Sequence, residues 1–305
     1  MSLVEIKNIT KDYGNGRGNF DVSLSIDKGE VVGFVGTNGS GKTTLIRQMM
    51  GFLRPNSGSI KIKGLDSWKD AAEIKRAVGY LPGEIAFPDA STGTVFLERQ
   101  AELLGLKNMS YAEEIIKILQ LDPTAILKRM SKGMKQKTAI VAAFMTEAEL
   151  LILDEPTTGL DPLMRTGFVE LINAEKAKGK TIFMSSHMFE EVEDTCDTVA
   201  LIKDGKIIAT KSTLEIKRNE DKVYKVEFSS PEEYQRFVSE GFELDQQYDE
   251  KNQVFVKVND KDINRFMSVL KNYDMKYISE IKYSLDQYFK SLYQRGSSHV
   301  QQDDI

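Results

Sequence analysis

The chain has 305 residues, room for two domains at about 100–200 residues each. Apolar residues make up 41% and charged residues 29%, with a net charge of -5, a globular balance that argues against a basic nucleic-acid-binding surface. The single cysteine, Cys196, excludes a disulfide within the chain and suits a reducing, cytosolic setting, no apolar run approaches the roughly 20 residues that span a bilayer, and residues 1–5 lack the basic-then-apolar pattern of a signal peptide.

Residues 3–9 and 20–26 alternate apolar and polar side chains and predict two half-buried strands, with Gly14-Asn15-Gly16-Arg17-Gly18 turning between them. Val31–Val35 is a continuous apolar run broken only by Gly33, which suits a strand buried on both faces of a parallel sheet. A helix is expected from about Gly41 to Met50, after which Pro55-Asn56-Ser57-Gly58 turns the chain into a strand over 59–63. Residues 84 to about 147 are mostly helical in pattern, with apolar side chains clustered at 95–97, 103–104 and 115–121. Strand character returns at 150–153 and 181–184. A last pair, 198–202 and 206–209, is joined by Lys203-Asp204-Gly205, a hairpin signal. These elements predict an α/β domain over residues 1–212 with a helical insertion at about 84–147. Cys196 reads as a small buried filler rather than a nucleophile.

From residue 213 the pattern changes. Tyr224, Val226 and Phe228 alternate as a strand, and Ser230-Pro231 reads as a helix cap with proline at its first position. Strands at about 242–248 and 253–258 flank Asp249-Glu250-Lys251-Asn252. A helix near 260–271 and a strand near 276–283 follow. The order βαββαβ is the split βαβ of ferredoxin-like folds, giving a small α+β domain over 213–305. A final helix from Ser284 carries Leu285, Tyr288, Phe289 and Leu292, and the tail after Arg295, with His299, is polar.

The chemistry concentrates in four runs of the first domain. Gly36-Thr37-Asn38-Gly39-Ser40-Gly41-Lys42-Thr43 fits GxxxxGK[ST]. Glycines let successive N–H groups face one anion, and the helix that follows adds its positive end. Lys42 is expected to reach the β- and γ-phosphates, and Thr43 to ligate Mg²⁺, with Thr44 beside it. A plain glycine-rich turn is the alternative, but the buried strand before and the helix after supply the context of a phosphate loop. At 150–155 an apolar strand ends in Asp154 and Glu155. Asp154 is expected to hold Mg²⁺ through water, and Glu155 to polarise a water at the γ-phosphate.

With Pro156-Thr157-Thr158-Gly159-Leu160-Asp161-Pro162 after them, these residues resemble the ATPase subunit of ATP-binding cassette (ABC) transporters, over roughly residues 1–212. The resemblance implies a P-loop NTPase fold with an inserted helical subdomain, and ATP and Mg²⁺ as ligands. Gly159-Leu160-Asp161 is similar to the family's D-loop, which contacts a partner subunit. Residues 130–136 stand where the signature Leu-Ser-Gly-Gly-Gln-Arg-Gln belongs; Ser131 and Gly133 match, whereas Lys132 and Met134 do not. In the family this helix start meets the γ-phosphate held by the opposite subunit, a role that suits a hydroxyl, a close N–H and a helix dipole. His187 matches the switch histidine, which holds the water and Glu155 in place. Tyr13 matches the aromatic residue that stacks on adenine. After Val78-Gly79-Tyr80-Leu81-Pro82 the family usually has a glutamine near Mg²⁺; here Gly83 stands there, and either Glu84 is its substitute or coupling runs through backbone and water.

One phosphate loop and one signature per chain imply a head-to-tail dimer with two shared sites. The resemblance further implies a separate polytopic permease and a peripheral place on the cytoplasmic face of the membrane. The Gly83-Glu84 and 131–135 segments, with Ser284-Leu285-Asp286-Gln287-Tyr288-Phe289, look most like exporter ATPases of the ABC-2 type, which move drugs, antibiotic peptides or lipid-like molecules. An importer ATPase is one alternative. A soluble ABC protein acting on nucleic acid or ribosomes is another, disfavoured by the single cassette, the absence of long heptad coils and the acidic charge. The domain at 213–305 carries no catalytic constellation; it could regulate the ATPase, support the dimer or cap the fold, and dimer support is the favoured expectation.

Overall fold

The computed structural model describes residues 2–217, 221–281 and 284–289. The chain forms two compact units, Met1–Ser212 and Thr213–Ile305. The first opens with β1 (Ser2–Asp12) and β2 (Gly18–Asp27), an antiparallel pair. Val4, Ile6 and Ile9 on β1 and Val22, Leu24 and Ile26 on β2 are buried, so each strand offers one apolar face. β3 (Val31–Val35) is buried at every position. It leads through the glycine-rich loop into α1 (Lys42–Met49). The helix starts at Lys42 because Gly41 is left-handed, with φ at 107°, and a Cβ there would stand 2.5 Å from Asn19 Nδ2.

β4 (Ser57–Ile62) and β5 (Leu65–Asp66) join the first two strands in an antiparallel sheet of order β2-β1-β4-β5. α2 (Ala71–Ala77) and β6 (Val78–Leu81) return the chain to the parallel sheet. Then come α3 (Gly93–Leu104), α4 (Ser110–Ile118) and α5 (Lys132–Phe144), the helical stretch expected from the pattern. α3 is capped by the Thr92 hydroxyl, which accepts from Val95 N.

β7 (Leu150–Asp154), α6 (Pro162–Ala177), β8 (Thr181–Ser186), α7 (Phe189–Thr195), β9 (Thr198–Lys203) and β10 (Lys206–Ser212) complete the unit. The second sheet has the order β10-β9-β3-β8-β7-β6. All its neighbours are parallel except β10 and β9, a hairpin turned by Asp204 and Gly205, both left-handed at φ 47° and 75°. α7 lies hard against β3: a Cβ on Gly33 would stand 2.5 Å from Val192 Cγ1.

The second unit begins with α8 (Thr213–Lys217), which the sequence pattern did not suggest. β11 (Asp221–Phe228), α9 (Pro231–Val238), β12 (Glu243–Tyr248), β13 (Gln253–Asn259), α10 (Ile263–Leu270) and β14 (Met275–Ile281) follow. Their sheet order, β12-β13-β11-β14 with every pair antiparallel, is the split βαβ arrangement. Ser230 caps α9 as expected, accepting from Glu233 N. An aromatic cluster of Phe228, Tyr234, Phe237, Phe266 and Tyr273 fills its core. Residues 285–289 are helical. Leu292, His299 and the tail lie outside the described residues.

Glu149, just before β7, is held between Lys28 at 2.7 Å and Lys63 at 2.8 Å, tying β7 to the turns after β2 and β4. Hydrogen bonds from these two ammoniums lower its pKa from 4.5 to about 2. A lowered carboxylate stabilises the fold fully above its ordinary value and loses that share as pH falls through the folded value. Glu149→Gln is therefore expected to cost about 1 kcal/mol at pH 7, the scale of two partly exposed pairs. The difference from wild type should shrink between pH 4.5 and about 2 in denaturant melts across pH.

Candidate active site

The ends of β3, β7 and β8 converge because the strands are parallel, so their C-terminal ends lie on one edge. β3 delivers the loop at 36–41, β7 delivers Asp154 and Glu155, and β8 delivers Ser185, Ser186 and His187. A cleft of about 780 Å³ opens there. Tyr13, Asn38, Gly39, Gly41, Lys42, Thr43, Thr44, Glu84, Glu155 and His187 all line it. Gly36, Thr37 and Ser40 form the loop beneath: the Lys42 ammonium donates to Gly36 O at 2.7 Å and Thr37 O at 3.2 Å, and Ser40 is buried.

Glu155 is the hub of this edge. Its Oε1 lies 3.1 Å from Lys42 Nζ, and its Oε2 lies 2.5 Å from His187 Nδ1. Its backbone is left-handed, with φ at 50°, a conformation uncommon for glutamate and held here by Ser185, whose hydroxyl accepts from Glu155 N at 2.9 Å. The same hydroxyl donates to Asp154 Oδ1 at 2.6 Å. Asp154 is fully buried. Burial pushes its carboxyl above the usual range, with Ser185 and then Thr43 pulling the other way. Its second oxygen, Oδ2, has no hydrogen-bond partner. Gly83 is packed against that oxygen, and a Cβ at this position would stand 2.9 Å from it.

Several lining residues were not singled out from sequence. Arg47 sits one helical turn beyond Thr43 on α1 and so shares its face. Arg17, Gly18 and Thr158 also line the cleft. Ser185 is the largest omission. Its role depends on the register that sets Asp154 opposite Ser185, which no local pattern reveals. Glu84 reaches the cleft wall with a largely exposed side chain, 4.0 Å from Arg47. Tyr13 is 55% exposed, leaving a ring face open to a flat ligand.

Ser131 and Gly133 are not among the cleft residues. Ser131 caps α5, its hydroxyl accepting from Met134 N at 3.2 Å. Gly133 packs on Gly159: a Cβ on it would stand 3.0 Å from Gly159 O. The start of α5 thus packs on Gly159 of the loop before α6, whose Thr158 lines the cleft, and Asp161 caps α6 through Met164 N.

The ABC transporter family profile matches residues 20–158. The ABC transporter ATP-binding protein NatA of Bacillus subtilis (strain 168) is 39% identical over 213 residues, spanning 67% of this chain and 87% of that protein. The chain belongs to the ATP-binding subunits of ABC transporters. It is an ATP hydrolase of that family. The bacitracin transport ATP-binding protein BcrA of Bacillus licheniformis is 35% identical over 210 residues, 68% of this chain and 69% of that protein. A solved ATP-binding subunit of an ABC transporter superposes with a TM-score of 0.65 at 32% identity, covering 71% of this chain and 92% of that one. A dimeric cassette solved with ADP and Pi shares the fold, with a TM-score of 0.62 at 22% identity, covering 69% of this chain and 98% of that one.

In this ABC subunit Gly83 leaves space beside Asp154 that any side chain would invade. Gly83→Ala is expected to slow ATP turnover by up to about a hundredfold, the effect of a displacement near 1 Å at a reacting centre. Thermal unfolding should barely change. Steady-state hydrolysis and a melt on the same sample check this; unimpaired turnover would mean that the 82–92 loop moves aside without consequence.

Proposed function

We propose that two copies of this subunit pair head to tail, hydrolyse ATP at two shared sites and drive a separate membrane permease that exports a drug, antibiotic peptide or lipid-like molecule. The observation that carries the pairing is the separation of Ser131 and Gly133 from the cleft that holds Lys42. A helix start with a hydroxyl cap and close N–H groups is chemistry for an anion. Neither Ser131 nor Gly133 lines the cleft of its own chain, so the phosphate loop that this helix start serves would come from a second copy.

Within each site Tyr13 stacks on the adenine, the 36–43 loop wraps the phosphates, and Lys42 turns from its carbonyl contacts to the β- and γ-phosphates. Glu155 takes the proton of the attacking water. His187 fixes the Glu155 carboxylate through Nδ1 and bonds the γ-phosphate. The residues fit Mg²⁺: Asp154 Oδ2 is a buried, unpartnered hard oxygen donor, and Thr43 adds a hydroxyl. Among the described residues no three His, Cys, Asp or Glu side chains gather as a metal cluster, so phosphate oxygens and water would complete the shell. Mg²⁺ would neutralise charge on the β- and γ-oxygens. Glu84 is the outer candidate ligand.

Export is supported by the relatives. Beside the bacitracin transport protein, the linearmycin resistance ATP-binding protein LnrL of Bacillus subtilis (strain 168) is 35% identical over 219 residues, 70% of each chain. Among the described residues no helix is long and apolar enough to cross a membrane, and the permease we infer is another chain. Docking it would bring the subunit to the cytoplasmic face of the membrane. A groove of about 240 Å³, with Tyr80, Ile85, Phe87, Phe96 and Leu104 in its wall, follows directly on Gly83 and is the apolar surface such a partner would cover. The second unit supports the pair.

Glu155→Gln is expected to slow hydrolysis by about 10²–10⁴-fold, the scale of a lost general base, and to trap an ATP-bound dimer in light scattering. Wild-type turnover would remove Glu155 from its role, and a monomer in saturating ATP would sink the pairing. Glu84→Ala should raise the Mg²⁺ needed for half-maximal turnover about tenfold. An unshifted Mg²⁺ titration would strike Glu84 from the metal site. Co-purification of a polytopic membrane protein with the tagged subunit tests the permease.

A further inference from the structure

Glu191 lies on α7, four residues after His187, and is only 4% exposed, whereas its neighbour Glu190 is open to solvent. An acid in the first turn of a helix is ordinarily an exposed partner of the helix's positive end, and Glu190 already fills that place. Glu191 turns its carboxyl inward instead. Its Oε1 has no hydrogen-bond partner, and Nε of Arg165, whose charge acts on this carboxyl from α6, is likewise buried without one. Leaving a buried carboxylate so poorly matched costs stability, and an apolar side chain of similar size would fill the space without that cost. What the carboxyl touches explains the position better than packing does.

It touches the two loops that meet at the reacting edge. Ser186 immediately precedes His187. Its hydroxyl accepts from Met188 N at 2.9 Å, closing the turn that presents the imidazole, and shares its proton between Met188 O at 3.3 Å and Glu191 Oε2 at 3.4 Å. Thr157 stands two residues after Glu155 and is buried. Burial pushes the Glu191 carboxyl up, and the Thr157 hydroxyl, the Arg165 guanidinium, the Ser186 hydroxyl and His187 pull it back, in that order. One carboxyl thus lies against Thr157 on the loop of Glu155 and against Ser186 on the loop of His187.

The bond between Glu155 Oε2 and His187 Nδ1 joins side chains from those same two loops, so its geometry depends on how the loops are held. Ser185 anchors the first loop at Glu155 N. Glu191 lies one step further out, under both.

We infer that Glu191 is a positioning residue for ATP hydrolysis: its carboxylate holds the turn at Ser186 and the loop at Thr157 at a fixed separation, and so keeps His187 in line with Glu155. It touches no substrate and takes no proton. The inference rests on the roles proposed above for Glu155 and His187.

The test compares Glu191→Gln, His187→Ala and the double variant in the full chain, by steady-state ATP hydrolysis and thermal melts. Glu191→Gln keeps the shape and replaces an acceptor oxygen with a donor amide. Its kcat is expected to fall about ten- to a hundredfold, the scale of a displacement of up to 1 Å at a reacting centre, with KM for ATP within about twofold. Its melting temperature should be unchanged or higher, because an incompletely bonded buried charge is lost. A residue that only supports packing would show the reverse, a lower melting temperature with kcat retained. Thr157→Val removes one hydroxyl and keeps the shape; it should lower kcat by a smaller factor, which covers a folding defect at 191. The double variant decides. Because Glu191 acts through His187, adding Glu191→Gln to His187→Ala should slow turnover by less than about twofold more. Full additivity, or wild-type kcat in Glu191→Gln, overturns the positioning role alone. Wild-type turnover in His187→Ala overturns the role of His187, and this inference with it.

Discussion

Glu155 sits between the Lys42 ammonium and the His187 imidazole, and the rest of the cleft is organised around that carboxylate. The three groups come from positions more than 100 residues apart at the extremes. They meet because β3, β8 and β7 are parallel neighbours in one sheet, so that three loops leave the same edge. Ser185 locks the arrangement from below by serving Asp154 and the Glu155 backbone with one hydroxyl. A hydroxyl can donate and accept at once, and both partners here need what it offers. The hydrogen bond that this hydroxyl accepts from Glu155 N helps hold a left-handed glutamate, a conformation that costs energy unless its surroundings enforce it.

The acid beside this hub is handled differently. Asp154 is wholly buried, and burial alone drives it towards the neutral form. A buried carboxylate oxygen left without a partner costs on the order of 1–3 kcal/mol, so its persistence in a site calls for an explanation. The proposed cation supplies one, because a hard dication restores the charged form. Gly83 fits the same picture: the chain approaches Asp154 too closely there for a side chain. What reads in sequence as a missing ligand is, in the packed structure, a steric requirement.

The two units are built on different terms. The first covers a parallel sheet with helices and sets a second, antiparallel sheet of β1, β2, β4 and β5 against the same core, which is continuous from Val4 to Ile202. The second is a small split βαβ unit whose interior is largely aromatic rings. Large rings fill a small core with few residues, which suits a unit with little interior to spare. Its sheet has no closing partner at either edge among the described residues.

The sequence by itself determined most of the strands and the loop chemistry, though not α8. Alternation marked β1, β2 and β11, the short apolar runs marked β3 and β7, and the 36–43 pattern with Asp154 and Glu155 marked the cleft. These signals are local: a period of two, a run, or a spacing survives in the one-dimensional string. Tertiary structure alone decided which strands became neighbours. It split β1, β2, β4 and β5 from the parallel sheet, set Asp154 opposite Ser185, turned Glu84 towards Arg47, and left Ser131 and Gly133 out of the lining of the cleft that holds Lys42. Parallel register joins residues far apart in the chain, and no short-range pattern carries that information.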